Sequence, residues 1–125
     1  MDEAQKWFNI AEEDLLWAKA SLKEGIWRGA CFAAQQGAEK SLKAYLLVKN
    51  KSFPKIHDLV SLNDHCRNID NEFEQLNNSC NFISPYYLSS RYPDLAEFEE
   101  YSQEMAIEVV QKAEEIIKFV ESKLN

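Results

Sequence analysis

Three glycines and three prolines are all that punctuate a chain of 125 residues. Sandwiches and barrels need tight turns at every strand end, and Gly and Pro are the residues that supply them. So sparse a supply suits a few long helices joined by few loops. Apolar side chains also recur in steps of three and four over most of the length, the rhythm of one helix face. Apolar residues make up 46% of the chain and charged residues 28%, which belongs to a folded globular domain and not to a disordered one. At this length the expected unit is a single domain over residues 1–125, large enough to bury a core without metal or disulfides. There is no internal repeat, low-complexity tract or domain boundary.

The first helix is expected from about Asp2 to Glu24, with Ala4, Phe8, Ala11, Leu15, Ala18 and Leu22 on its buried face and Trp7, Ile10 and Trp17 widening the stripe. Gly25 stands where a C-terminal cap belongs. A second helix should run from about Trp27 to Lys49, carrying a seam of small residues (Ala30, Ala34, Gly37, Ala38, Ser41) that lets a neighbour approach closely. The short connection makes the pair an antiparallel hairpin.

Residues 50–56 read as a loop, because Pro54 biases Phe53 away from helix. A third helix starts near His57 or Asp58, with Leu59, Leu62, Cys66 and Ile69 inward. Phe73, Leu76, Cys80 and Ile83 are spaced for a fourth over 72–83, and residues 84–95 read as an irregular aromatic loop. A last helix should span about Ala96 to Lys123, buried through Ala106, Val110, Ala113, Ile117, Val120 and Leu124. The architecture expected is all-α: an antiparallel up-and-down four-helix bundle with room for one short extra helix.

The net charge of -7 opposes any broad association with phosphate backbones, leaving bulk DNA binding out while a local basic pocket stays open. Cys31, Cys66 and Cys80 are odd in number and lack a paired spacing, so they read as reduced, buried thiols of a cytoplasmic protein. No stretch has the length of a membrane span, and the acidic N-terminal segment lacks the apolar core of a signal peptide.

His57 and His65 are the only histidines, and neither has a glutamate three positions before it, so no metal site or cofactor is expected. Two polar constellations remain. Gln36, Glu39, Lys40 and Lys43 share a side of the second helix, either as a solvated face with local ion pairs or as a groove wall offering amides and cations to an anion. Tyr86, Tyr87, Arg91 and Tyr92 crowd the aromatic loop, where they either stack on a base and hold phosphate or anchor the loop to the core.

Taken in order, AEEDLLWAKASL at 11–22, CFAAQQGAEKSLKAY at 31–45, the Pro54–His57–Asp58–Leu59 cluster and Arg91–Tyr92–Pro93–Asp94 resemble the HEPN family (higher eukaryotes and prokaryotes nucleotide-binding domain). The resemblance spans nearly the whole chain. It implies a helical bundle that forms a homodimer, binds nucleotides, and partners a minimal nucleotidyltransferase, in some members as a toxin–antitoxin pair. The ligand-binding positions it suggests are Gln36, Lys40, Lys43, His57, Asp58, Arg91 and Tyr92, with Asp14 and Glu39 also matching shared polar motifs.

One departure matters. Ribonuclease members of the family carry Arg, four to six residues, then His. The corresponding windows after Arg28, Arg67 and Arg91 hold Ala33–Gln35, Glu72–Glu74 and Ala96–Phe98, with no histidine. Without that histidine the usual proton-transfer agent is missing. The expectation is therefore a non-catalytic binding module. The alternatives are a toxin-like ribonuclease whose His57 and Arg91 meet in space, and a purely structural interaction subunit. The proposed pocket requires the bundle to bring His57 and Arg91 toward the Lys40 face.

Overall fold

The computed structural model describes residues 2–92 and 100–124. Among them every regular element is helical: α1 (Glu3–Lys23), α2 (Trp27–Asn50), α3 (Leu59–Ile69), a 3₁₀ segment (Asn71–Leu76), α4 (Asn77–Ile83), α5 (Tyr86–Ser89) and α6 (Gln103–Leu124). Among the described residues no helix is long and apolar enough to cross a membrane.

Each end of the first hairpin has a local cause. The Asp2 carboxylate accepts the Gln5 N–H at 2.8 Å and caps α1. At the far end Gly25 adopts φ 75°, with Gly25 N–H donating to Leu22 O (3.1 Å) and Ile26 N–H to Ser21 O (2.8 Å). These two bonds close a Schellman motif, which stops α1 and turns the chain directly into α2.

α2 is the centre of the molecule. It packs on α1, α3, α5 and α6, and from Ala30 to Leu47 almost every side chain is buried. The small-residue seam works as expected: Ala30, Ala34, Gly37, Ala38 and Ser41 are all buried. A Cβ on Gly37 would lie 3.1 Å from both Ala11 O and Ile117 Cδ1, so this position sets the approach of α1 and α6 to α2. Trp7 and Trp27 pack against the core, while Trp17 stays 52% exposed.

Four boundaries or faces differ from the sequence reading. α3 starts where expected, at Leu59 with Asp58 as its cap, but Ile69 is exposed instead of buried. The stretch 72–83 is not one helix. Buried Asn63 donates its amide to Phe73 O at 2.9 Å, diverting the carbonyl that an α-helical bond from Asn77 would use. Asn77 N–H instead bonds Glu74 O, and the chain is 3₁₀ up to that point and α after it. The aromatic stretch contains the four-residue helix α5. The last helix begins at Gln103, because the Ser102 hydroxyl accepts the Met105 N–H at 3.2 Å. Ala96–Glu99, expected in that helix, and Pro93–Asp94 of the family-like block lie outside the described residues.

Replacing Gly37 by Val should destabilise the fold by about 1–3 kcal/mol, since the added methyls meet backbone as well as side chain. A thermal melt unchanged from wild type would show that the three-helix contact has slack.

Candidate functional site

Two consecutive turns of α2 bury charge. Glu39 and Lys43 are each only 5% exposed at the side chain and pair at 2.9 Å. The solvated-face reading therefore fails for these two residues. The same Glu39 Oε2 accepts from His57 Nδ1 at 2.9 Å, and Oε1 accepts from the Gln35 amide at 3.1 Å. Gln36 donates in turn to Gln35 Oε1 at 2.6 Å. The Lys43 ammonium lies 5.1 Å from the Phe53 ring and 5.9 Å from the Trp7 ring, which meet edge to face at 4.9 Å. Loop and α1 aromatics thus flank the cation that Glu39 pairs.

His57 carries this network to the surface. Its ring is 52% exposed and stacks on Tyr87 with centroids 4.7 Å apart and planes 10° from parallel. The Arg91 guanidinium lies 4.1 Å from the centre of the same Tyr87 ring and 4.6 Å from Phe32, and donates to Tyr87 O at 2.6 Å. His57 and Arg91, 34 positions apart, therefore share one aromatic ring. With Nδ1 held by Glu39, Nε2 is the imidazole nitrogen left for an incoming group.

Beside this stack opens a groove of about 490 Å³ lined by Ile56, His57, Asp58, Ser61, Ser84, Pro85, Tyr87 and Leu88. Asp58 is its anionic corner. The carboxylate accepts from Ser84 Oγ (2.6 Å), Ser61 Oγ (2.8 Å) and Val60 N–H (3.3 Å). Burial pushes this carboxyl up, but the Ser84 and Ser61 hydroxyls and the Val60 and Ser61 N–H groups outweigh it and leave it below its usual range.

The expected ligand positions thus divide. Lys43, His57, Asp58 and Arg91 gather around Glu39 and Tyr87, and Gln36 joins through Gln35. Lys40 turns to the other neighbour and pairs with Asp14 of α1 at 2.8 Å. Tyr92 is half exposed, held through its backbone N–H to Leu88 O. The expected set omits Gln35, Glu39 and Tyr87, which join its members. The four-residue spacing of Gln35, Glu39 and Lys43 was the available signal; nothing in the sequence separates Tyr87 from Tyr86.

The aromatic stretch anchors itself to the core through Tyr86, while Tyr87 is left for the stack. Tyr86 is buried against the core, and burial, followed by the nearby Cys31, Tyr101 and Glu108, raises its hydroxyl to about 12. Tyr87 faces outward into the stack. The cysteines are free and fully buried, and burial raises the Cys31 and Cys80 thiols to about 12, far from a nucleophile's range.

The sequence model of the HEPN domain matches residues 4–123. The chain belongs to the HEPN family. Among solved structures, this HEPN domain is similar to TT1696 from Thermus thermophilus, with 31% identity over 98% of this chain and 99% of that one and a TM-score of 0.85. It is also similar to ST0689, an archaeal HEPN homologue, at 28% identity, 100% of both chains and a TM-score of 0.80. A search of curated proteins gives no match.

Removing one partner of a buried pair strands the other, so Glu39→Ala should cost about 3–5 kcal/mol in urea unfolding. Glu39→Leu with Lys43→Met should recover most of it. A loss under about 1 kcal/mol, typical of exposed pairs, would contradict the burial.

Asp58 gives a pH signature. A carboxyl lowered in the folded state adds stability above its unfolded pKa and loses it as pH falls through the folded one. Asp58→Asn should therefore be less stable than wild type at neutral pH, with the gap closing in acid. A gap that is constant with pH would rule out this role for the charge.

Proposed function

We propose that this HEPN domain is a non-catalytic binding module, a homodimer that takes a nucleotide, a minimal nucleotidyltransferase partner, or both, at the surface around Tyr87. The observation that carries this reading is the His57–Tyr87–Arg91 stack at the rim of an open groove, braced from beneath by buried Glu39. Stacked rings and a guanidinium are suited to a base and a phosphate. The bracing keeps the imidazole in place before a ligand arrives, which lowers the ordering cost of binding. The missing Arg-to-His spacing argues against the usual ribonuclease route. The exposed side chains of Leu16 on α1 and Ile107 on α6 are apolar surface that a second copy would cover.

Calorimetric titration with ATP should give saturable heat that falls at least tenfold in affinity in His57→Ala. No heat at millimolar nucleotide, together with no capture of a nucleotidyltransferase, would end this reading. Light scattering at micromolar concentration should return the mass of two chains.

One observation favours a second reading. His57 and Arg91 both pack on the Tyr87 ring, which puts them in the one neighbourhood that a ribonuclease lacking the usual spacing would need. That enzyme would cleave single-stranded RNA and lose the activity in His57→Ala. An inert wild type would remove it.

A further inference from the structure

Tyr87 and Arg91, which stack on each other, line two grooves of opposite character. The groove beside His57 contains the Asp58 carboxylate among largely apolar walls. Arg91 itself lines a second groove of about 410 Å³, together with Trp17, Ile26, Arg28, Gly29, Phe32 and Ser90. Two of the three arginines of the chain face it, and its described lining holds no carboxylate, although the chain carries a net charge of -7.

Both guanidiniums are held from behind. Arg28 donates through one nitrogen to Ser90 O at 2.8 Å, and Arg91 through one to Tyr87 O at 2.6 Å. Among the described residues neither fork has a second hydrogen-bond acceptor, which leaves N–H groups for a ligand. Two like charges on one groove repel each other until an anion joins them. The start of α2 adds positive potential: its cap, Ile26, provides no side-chain acceptor, and its first turn has no acid.

The same groove is lined by aromatic rings. Trp17 is 52% exposed, an unusual cost for an indole, and meets Phe32 edge to face at 5.8 Å and 68°. A flat ring laid on Trp17 would sit next to the two guanidiniums. The volume falls within the roughly 300–1,000 Å³ of small-molecule sites.

We propose that this second groove, which shares Arg91 with the His57–Tyr87–Arg91 stack, is where the nucleotide of that reading lies: Trp17 receives the base, and Arg28 and Arg91 hold the phosphate. The assignment rests on the nucleotide reading above and places the anion away from Asp58, which would repel it. The same chemistry, a base carrying a phosphate, is presented by a free mononucleotide and by the 5′-phosphorylated end of an RNA strand.

The test uses the full chain, titrated with AMP, adenosine and a short 5′-phosphorylated single-stranded RNA, read by calorimetry and tryptophan emission. Arg28 and Trp17 lie at the surface, so Arg28→Gln and Trp17→Ala should keep a cooperative thermal melt and a folded chain. Arg28→Gln should weaken AMP roughly tenfold or more and leave adenosine unaffected. Trp17→Ala should weaken both and remove the emission change. If the RNA responds to these variants and AMP does not bind, the ligand is a strand end and the groove assignment stands. If AMP binds wild type, Arg28→Gln and Trp17→Ala alike but is lost in His57→Ala, this groove is refuted while the nucleotide reading survives. If neither AMP nor RNA binds the wild type, both fall.

Discussion

The carboxylate of Glu39 is the fixed point of the molecule. It sits on the one helix buried on nearly all sides, and it is the counter-charge to the buried lysine on the next turn. An unpaired ammonium at that depth would carry a desolvation cost of several kcal/mol, so the pair has to form for α2 to take its central place. Once formed, Glu39 has acceptor capacity left over. Gln35 and His57 use it, and through His57 a constraint inside the core becomes the position of a ring at the surface. Packing and site are therefore a single hydrogen-bonded unit, and the loop from α2 to α3 is placed by it as much as by its own apolar residues.

Much of the architecture was legible because it depends on patterns that short windows preserve. The three-and-four spacing located the buried faces of α1 and α6, Gly25 marked the turn, and the small residues from Ala30 to Ser41 predicted close helix contact. What was not legible depends on contacts distant in sequence. Asn63 splits the stretch after α3 by taking a carbonyl ten residues away. Phe73, Leu76, Cys80 and Ile83 are buried as their spacing implied, yet their backbone is not one helix.

The site shows the same division. His57, Asp58 and Arg91 stood out as residue types with chemistry, and the fold does bring them to one neighbourhood. Lys40 and Lys43, three positions apart, were indistinguishable in the sequence. One turns to Asp14 on α1 and the other inward to Glu39, and only packing around α2 decides which. Tyr86 and Tyr87 are a starker case: adjacent and identical, one closes the core and the other receives an imidazole and a guanidinium. The arrangement of charge in this HEPN domain is correspondingly uneven. Acid dominates the surface in sum, while two of its three arginines are concentrated beside aromatic rings.

The bond from Ser84 to Asp58 joins the end of α4 to the start of α3. The residue before Asp58 is His57, and Tyr87 follows Ser84 by three, so this clasp spans the two lips of the groove. Its atoms lie at the rim, outside the apolar interior. The two lips are thus tied twice, by a hydrogen bond that water can reach and by the stack of His57 on Tyr87, and neither tie draws on a fully buried side chain.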